Sequence, residues 1–176
     1  MILGVVLAGG RSSRFGTDKA SATLGGTTLL ERAVAGLGKY CDTVVVAGRS
    51  VAPVAVIPDW PGPDRGPLGG IAAGLRHAQE NGFASILTCG VDSADLPDNL
   101  LEILTPAPAF LASQPVIGHW PAGASTTIEG ILVGDGSHAM RAFAEAIGAR
   151  SVECAQAPAN INTQDDLAEA KRRLGL

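Results

Sequence analysis

The chain has 176 residues, 46% of them hydrophobic, which is enough for one domain with a substantial core over residues 1–176 and too few for two of ordinary size. Its formal net charge of −4 argues against nucleic-acid binding, which requires a positively charged surface. Any other anionic ligand would have to bind at a loop that is locally positive. We expect a cytoplasmic protein with no membrane partner, because no apolar run in the sequence reaches about 18 residues and no basic region precedes the apolar start.

Strand-like and helix-like runs alternate along the first part of the chain. Apolar runs predict strands at residues 1–8, 43–47, 54–57 and 85–89. Amphipathic or capped runs predict helices at residues 28–40, 67–81 and 98–104. Thr28 and Glu31 have the spacing of a capping box. This alternation predicts an α/β fold with a doubly wound, mostly parallel, Rossmann-like sheet in three α/β/α layers.

The second part of the chain has a less regular pattern. Prolines and glycines break it around the segment 115–121. Beyond that segment the sequence predicts helices at 124–133 and 137–147 and a strand at 150–154. A final helix begins near Thr163, whose hydroxyl caps it with Asp166 in the reciprocal position.

The cysteines, Cys41, Cys89 and Cys154, are widely spaced and contain no Cys-x-x-Cys pair. Neither a disulfide framework nor a zinc site is therefore predicted, and the thiols are expected to be reduced. Cys89 ends an apolar run and is predicted to be a small core residue.

The loop after the first strand has the composition of a phosphate site. Gly9, Gly10 and Gly16 let the backbone bend closely around a ligand and turn its N–H groups toward it. Three cations that bind phosphate oxygens accompany them within nine residues, namely Arg11, Arg14 and Lys19. The spacing fits neither a Walker A loop nor a dinucleotide fingerprint. A glycine turn with solvated charges is the alternative interpretation.

Carboxylates follow the strand at 85–89, at the edge of the sheet where the first loop is also expected. Mg²⁺ binds to one or two carboxylates and completes its shell with water and substrate phosphates, so a single well-placed aspartate of this loop suffices. An isolated aspartate at such a position would equally suit a turn or a helix cap, and Asp95 or Asp98 could start the next helix. The pairing of the acidic loop with the cationic loop favours a metal site.

Several segments together resemble one family. The first loop reads Leu-Ala-Gly-Gly at 7–10, Ser-Ser-Arg-Phe-Gly at 12–16 and Asp-Lys at 18–19. It resembles the signature of the molybdenum cofactor guanylyltransferase (MobA-like) family, with Phe15 where Met is usual. The segments 66–70, 92–97 and 160–167 resemble further family motifs, although Ala94 and Asp95 depart from the second of these. The resemblance covers nearly the whole chain and implies the nucleotidyltransferase, or nucleotide-diphospho-sugar transferase-like, fold.

The resemblance also implies roles for individual residues. Catalysis falls to Arg14, Lys19 and Asp92, and Asp92 is the implied ligand of a Mg²⁺ cofactor. The implied nucleotide-binding residues are Leu7, Ala8, Gly9, Gly10, Lys19, Asp59, Gly66, Pro67, Leu68 and Asp92.

The acceptor substrate is assigned to the second half of the chain. The segment 115–121 is similar to an acceptor-side segment of the family, which implies an acceptor role for Trp120, while His119 replaces an apolar residue and has no assigned role. Asn160 and Asn162 alternate on an extended segment, so both amides can face one cleft and hydrogen-bond the acceptor.

The activity implied by the resemblance is transfer of GMP from GTP to molybdopterin, with or without molybdenum, and release of pyrophosphate. Proteins that insert molybdenum or mature molybdoenzymes are the implied protein partners. Cytidylyl transfer and sugar-phosphate nucleotidyl transfer are alternatives within the class, although Gly9-Gly10 favours guanine because similar cytidylyl enzymes tend to carry Ala before Gly. An NAD-dependent dehydrogenase is disfavoured by the missing fingerprint, and a non-catalytic nucleotide-binding module by the presence of Lys19 and Asp92.

Overall fold

A seven-stranded sheet forms the centre of the computed structural model, which describes residues 1–10, 16 and 18–176. The strands are β1 (Ile2–Leu7), β2 (Thr23–Leu24), β3 (Thr27–Thr28), β4 (Thr43–Ala47), β5 (Val56–Ile57), β6 (Ser85–Gly90), β7 (Ser93–Ala94), β8 (Ala109–Leu111), β9 (Gln114–Pro121), β10 (Arg150–Val152) and β11 (Ala159–Asn160). The helices are α1 (Leu29–Gly38), α2 (Gly66–Glu80), α3 (Leu100–Ile103), α4 (Ser125–Val133), α5 (Met140–Ala146) and α6 (Gln164–Arg173).

The strand order in the large sheet is β10-β8-β9-β6-β1-β4-β5. Strands β6, β1, β4 and β5 pair in parallel, whereas β9 runs antiparallel to both of its neighbours. β1 lies in the middle of the parallel part, and its aliphatic residues are buried on both faces, as a run without polar alternation predicts. The predicted mostly parallel sheet is confirmed.

Helices cover both faces of this sheet. On one face, side chains of β1 such as Leu3 and Val5 pack against α2, α4 and α5. On the other face, Val6 packs with residues of α1 and α3 and with Cys89, which is a core residue as predicted. Because α1 and α2 lie on opposite faces, the connections after β1 and β5 diverge and leave a crevice at the carboxyl ends of the strands. The three-layer prediction is also confirmed.

Both predicted capping boxes are present. The Thr28 hydroxyl accepts a hydrogen bond from the Glu31 amide at 3.1 Å, and the Glu31 carboxylate accepts one from the Thr28 amide at 2.8 Å. Thr163 and Asp166 make the equivalent pair at the start of α6. A helix start encoded by two residues three apart can thus be found from sequence alone.

The structure differs from the expectations mainly between residues 106 and 121. The segment interrupted by prolines is the longest strand of the sheet, β9. Pro115 is exposed and lies beside a register shift in the pairing with β8, where a missing N–H is tolerated, and Pro121 closes the strand. The helices α3 and α5 are shorter than predicted, and α5 starts late because Ala139 has extended backbone, with ψ 149°. Within the described ranges, no helix is long and apolar enough to cross a membrane.

Candidate functional site

Three chain segments meet at the carboxyl ends of the parallel strands. The Ala8 amide donates to the Ala47 carbonyl at 3.0 Å, and the Val91 amide donates to the Leu7 carbonyl at 3.0 Å. The segments that follow β1, β4 and β6 are therefore held side by side. This places Gly9 and Gly10, at the start of the glycine-rich loop, at the same edge as the acidic segment after β6, as the parallel sheet predicts.

The start of the loop is pressed against the end of β4. A Cβ on Gly48 would lie 2.5 Å from the Gly9 Cα, and Gly48 has φ +83°. Only glycine meets both demands at Gly48, since a side chain would collide there and that φ is in the left-handed region. Gly10 also has a positive φ, +117°, and is exposed beside this contact.

Lys19 joins the loop to two other predicted site residues. Its Nζ lies 3.2 Å from Asp92 Oδ2 and donates to Asn162 Oδ1 at 3.0 Å. The lysine side chain is only 13% exposed and that of Asp92 26% exposed, so the ion pair is partly shielded from solvent. The structure thus brings together a cation, a carboxylate and an amide that are far apart in the sequence.

The Asp92 carboxylate has its position fixed by its own strand. A Cβ on Gly90 would overlap Asp92 Oδ1, so the carboxylate occupies the space that the glycine leaves open. The Asp92 carbonyl accepts a hydrogen bond from the Ile161 amide at 2.9 Å, and β7 pairs with β11 immediately beyond. This antiparallel pair carries the Asn160–Asn162 segment to Asp92.

The two asparagines lie on the same side of their segment. Ile161 between them is fully buried in a small core with Leu24 and Leu29, whereas Asn160 is exposed and Asn162 half-buried. The backbone N–H of Asn162 donates to Asp166 Oδ2 at 2.9 Å. This bond, with those from Thr163, holds the pKa of Asp166 below its usual range. The Asn162 side chain contacts Lys19. Asn160 lies two residues earlier on the same side of the segment, where it is exposed to solvent.

Asp59 lies in a cradle formed by Gly9, Gly48 and Gly70, and it follows a strand on the opposite side of β1 from Asp92. A Cβ on Gly9 would lie 3.1 Å from Asp59 Oδ2, and one on Gly48 would lie 3.3 Å from Asp59 Oδ1. Among the described residues, this buried Oδ1 has no hydrogen-bond partner, and burial raises the pKa of Asp59. A ligand cannot reach this enclosed oxygen, so an N–H or O–H group bound at this edge would meet the other carboxylate oxygen, Oδ2, on the side of Gly9.

The start of α2 lies next to this cradle. Gly66 has φ +61° and Pro67 follows it at the first turn of the helix, where its missing N–H costs nothing. The Trp60 amide donates to the Gly69 carbonyl at 3.1 Å, which ties the Asp59 segment to the helix. The side chain of Leu68 is fully buried, and Leu7 and Ala8 are each 9% exposed. The side chains of these three residues belong to the core, so their nucleotide contacts stay a prediction that only their backbone atoms could fulfil.

The predicted acceptor role of Trp120 is wrong. Trp120 is 0% exposed, and its indole N–H donates to the Thr88 hydroxyl at 2.9 Å. Because β9 is antiparallel to β6, Trp120 pairs with Ile86 near the start of that strand, away from the edge that carries Asp92. The indole instead packs between Phe110 and Phe143.

Two residues singled out in the sequence remain, His119, which had no assigned role, and Arg14, a predicted catalytic residue. His119 is buried, its Nε2 lies 2.8 Å from the Ser85 hydroxyl, and burial lowers its pKa, so it is a packed core residue. Arg14, like Arg11, falls outside the described residues.

Sequence reasoning missed Arg49, which follows Gly48 at the end of β4. Its guanidinium donates to both carboxylate oxygens of Asp18, at 2.8 and 2.7 Å. This pair and a hydrogen bond from the Ser21 hydroxyl hold the pKa of Asp18 well below its usual range. The signal was available, because a glycine followed by a cation after a parallel strand is the same pattern that identified the first loop.

By fold, the chain is a nucleotidyltransferase-like α/β protein. It matches the crystal structure of molybdopterin-guanine dinucleotide biosynthesis protein A from Archaeoglobus fulgidus with a TM-score of 0.77 at 23% identity, over 98% of each chain. It also matches 4-diphosphocytidyl-2C-methyl-D-erythritol synthase from Anaerococcus prevotii with a TM-score of 0.72 at 12% identity, over 99% of this chain and 96% of that one. At such identities these likenesses establish the fold alone.

Sequence comparison is more specific. Residues 4–152 match the family described as MobA-like NTP transferase domain. Proteins named molybdenum cofactor guanylyltransferase are 35% identical in Acidiphilium cryptum, over 96% of this chain and 94% of the relative, and 37% identical in Rhizobium leguminosarum bv. trifolii, over 98% and 93%. The chain therefore belongs to the MobA-like NTP transferase family, and the resemblance stated from its motifs is confirmed.

Proposed function

We propose that this protein transfers GMP from GTP to a molybdopterin-type acceptor, with release of pyrophosphate. The observation that carries the proposal is the meeting of Lys19, Asp92 and Asn162 at one end of the sheet. The guanylyltransferase relatives support the choice of guanine and of the acceptor.

The residues of the site fit nucleotidyl transfer without a dedicated general base. An oxygen of the acceptor phosphate attacks the α-phosphorus of GTP, a P–O bond forms, and the bond to the β-phosphate breaks. Because that acceptor oxygen is already ionised near neutral pH, it needs no proton removed. This agrees with His119 being a core residue.

The loop and Lys19 stabilise the charge that moves during this displacement. Backbone N–H groups at Gly9 and Gly10 bind the phosphates, and the Lys19 ammonium neutralises charge on the transferred and leaving groups. Asn162 orients Lys19 through their hydrogen bond and, with Asn160, binds the acceptor. Asp59, whose half-buried carboxylate lies beside Gly9, accepts a hydrogen bond from the nucleoside.

The site also fits a magnesium ion. The described residues contain no cluster of three His, Cys, Asp or Glu side chains, and Mg²⁺ that is held partly by water and substrate phosphates would need only one or two carboxylates from the protein. The hard oxygens of Asp92 are of the right type. Asp92 would hold Mg²⁺, which when bound supplies positive charge to the triphosphate.

The test uses purified protein, Mg²⁺, molybdopterin and each nucleoside triphosphate labelled at its α-phosphate. The expected result is transfer of label from GTP to the acceptor, with one pyrophosphate released per transfer. Equal turnover of CTP would overturn the base specificity, and no transfer from any nucleotide would overturn the function. Lys19→Ala should reduce the rate about 10²- to 10³-fold, whereas Lys39→Ala, which removes an exposed cation just after α1 that is bonded to Asp98, should not.

A further inference from the structure

The geometry points to Arg49 as a positioning residue that acts through Asp18 on the segment carrying Lys19. The inference rests on the proposed function, in which Lys19 is the cation that meets the phosphates. Neither the motifs nor the matched family's description gives Arg49 a role.

The contact between Arg49 and Asp18 is directional. Its two hydrogen bonds, at 2.8 and 2.7 Å, run from two guanidinium nitrogens to two carboxylate oxygens. Such a fork fixes the relative orientation of two planar groups, which a lysine ammonium cannot do. The side chains are 25% and 46% exposed, so Coulomb attraction alone would be weakened by solvent.

Asp18 passes this orientation on to Lys19. Asp18 Oδ1 accepts a hydrogen bond from the Ala20 amide at 3.3 Å, and Oδ2 accepts one from the Ser21 hydroxyl at 2.7 Å. Asp18 thereby caps the short 3₁₀ turn Lys19–Ser21. Fixing the cap fixes the direction in which Lys19 leaves the backbone, toward Asp92 and Asn162.

The other end of the link is rigid. Arg49 follows Gly48, whose backbone is pressed against Gly9 and whose amide donates to the Ile57 carbonyl at 3.4 Å. The end of β4 therefore holds the phosphate loop at two points. Gly48 contacts Gly9 at the start of the loop. Arg49 donates hydrogen bonds to Asp18 at the other end of the loop, just before Lys19.

Charge gives Arg49 a second reason to be there. Asp18 places a carboxylate one residue from the proposed phosphate-binding lysine, and an unpaired carboxylate would repel a triphosphate. The guanidinium neutralises this charge while leaving Lys19 available. We infer that loss of Arg49 both loosens the turn and exposes the nucleotide to a negative charge.

The test compares Arg49→Met, Arg49→Lys, Asp18→Asn and the double variant Asp18→Asn/Arg49→Met. We expect Arg49→Met to lower kcat/KM for GTP at least tenfold and Arg49→Lys to recover at most threefold of that loss. The double variant should be no more than twofold worse than Arg49→Met, because the two residues form one link. If the loss in the double variant equals the product of the losses in the two single variants, Arg49 acts on the ligand directly. If Arg49→Met keeps a rate within twofold of wild type, Arg49 has no role. Either result overturns the inference.

Hydrogen exchange on the nucleotide-free protein separates this inference from the proposed function. Arg49→Met should speed exchange of the Ala20, Ser21 and Ala22 amides at least fivefold. The control Arg141→Met, which breaks an exposed ion pair with Glu145 on α5, should leave those amides unchanged. Unchanged exchange in Arg49→Met with an active wild type overturns the positioning role alone. Faster exchange with an inactive wild type supports the positioning role and overturns the function.

Discussion

At the scale of single residues, Gly90 and Asp92 show how an absent side chain places a functional one. The carboxylate of Asp92 fills the space beside the Gly90 Cα, and its other oxygen faces Lys19. Gly90 has no positive φ that would itself require glycine. The glycine is therefore explained by the carboxylate beside it and not by its backbone.

Gly90→Ala should impair activity more than stability. The new methyl group would displace the end of one short side chain by roughly 1 Å, and a misplacement of that size costs about 10²-fold in rate. Measurement of kcat for GMP transfer, with thermal unfolding in parallel, tests this.

The control for this prediction is Gly130→Ala, because a Cβ at this exposed position of α4 would meet nothing within 4 Å. The control should keep the wild-type rate and gain up to about 1 kcal/mol of stability from helix propensity. A Gly90→Ala rate equal to that of the control would contradict the explanation.

Asp59→Asn should stabilise the protein while weakening GTP binding. Because burial raises the pKa of Asp59 above its ordinary value of 3.8, ionising this carboxyl costs the folded state free energy. The gain in unfolding free energy, which solvent screening reduces because this carboxyl is only half-buried, should therefore be present above the raised pKa and vanish as pH falls below 3.8.

Urea denaturation of the Asp59→Asn variant and wild type between pH 3 and 8 measures this difference. The prediction fails when the variant is no more stable than wild type at pH 7, or when its advantage grows toward acid pH.

Motifs located several residues of the site, but not their surroundings. The order of residues after β1 and β6 was enough to predict that Lys19 and Asp92 share an edge, since parallel strands end together. Trp120 was misplaced because a motif gives a position in the chain and not the direction of the strand that carries it. Arg49 follows a recognisable glycine-cation pattern at the end of β4, but its partner, Asp18, lies 31 residues away and is brought to it only by the fold.

At the scale of elements, the small β7–β11 pair brings Asp92 and Asn162 together, and one buried side chain ties that pair to the large sheet. Gln114, at the start of β9 and 7% exposed, accepts a hydrogen bond from the Ser93 hydroxyl at 3.0 Å. Its amide nitrogen donates to the Pro158 carbonyl at 2.5 Å. Ser93 follows Asp92 directly, and Pro158 precedes β11, so both sides of the pair are held.

Gln114→Leu should lower both stability and turnover. It leaves the Ser93 hydroxyl and the Pro158 carbonyl buried without their partner, which costs about 2 kcal/mol of unfolding free energy. Because Asp92 and Asn162 would no longer be held in their relative positions, kcat measured well below the melting temperature should fall about tenfold.

The matched control is Gln79→Leu, since Gln79 is exposed near the end of α2 and its loss should change neither quantity. Wild-type kcat in a destabilised Gln114→Leu variant would show that the network stabilises the fold without positioning the site.

Elements with local signals were predictable, and those defined by distant partners were not. The capping boxes at Thr28 and Thr163 depend on residues three apart, so their helices begin where the sequence indicated. β9 depends on pairing with β6 and β8 across long separations, and its prolines obscured the pattern. The same non-local pairing explains why Gln114 carried no recognisable signal.

At the scale of the molecule, the carboxyl ends of the parallel strands β6, β1 and β4 lie side by side at a single crevice. The two faces of the sheet are covered by helices, which bury the core, and Gly9, Asp59 and Asp92 follow strands that end at this edge of the sheet. The chain shares this architecture with the 4-diphosphocytidyl-2C-methyl-D-erythritol synthase of Anaerococcus prevotii. Because the fold is common to both, we expect the proposed specificity for guanine and for the acceptor to come from the segments at that edge.

The most direct test of the account is the rate of GMP transfer by Asp92→Asn, measured with α-labelled GTP, Mg²⁺ and molybdopterin. We predict a loss of at least about 10²-fold, the scale of one interaction made in the transition state, with a melting temperature within a few degrees of wild type. A folded Asp92→Asn variant that transfers GMP within twofold of the wild-type rate would contradict the claim that Lys19 and Asp92 act on one bound triphosphate.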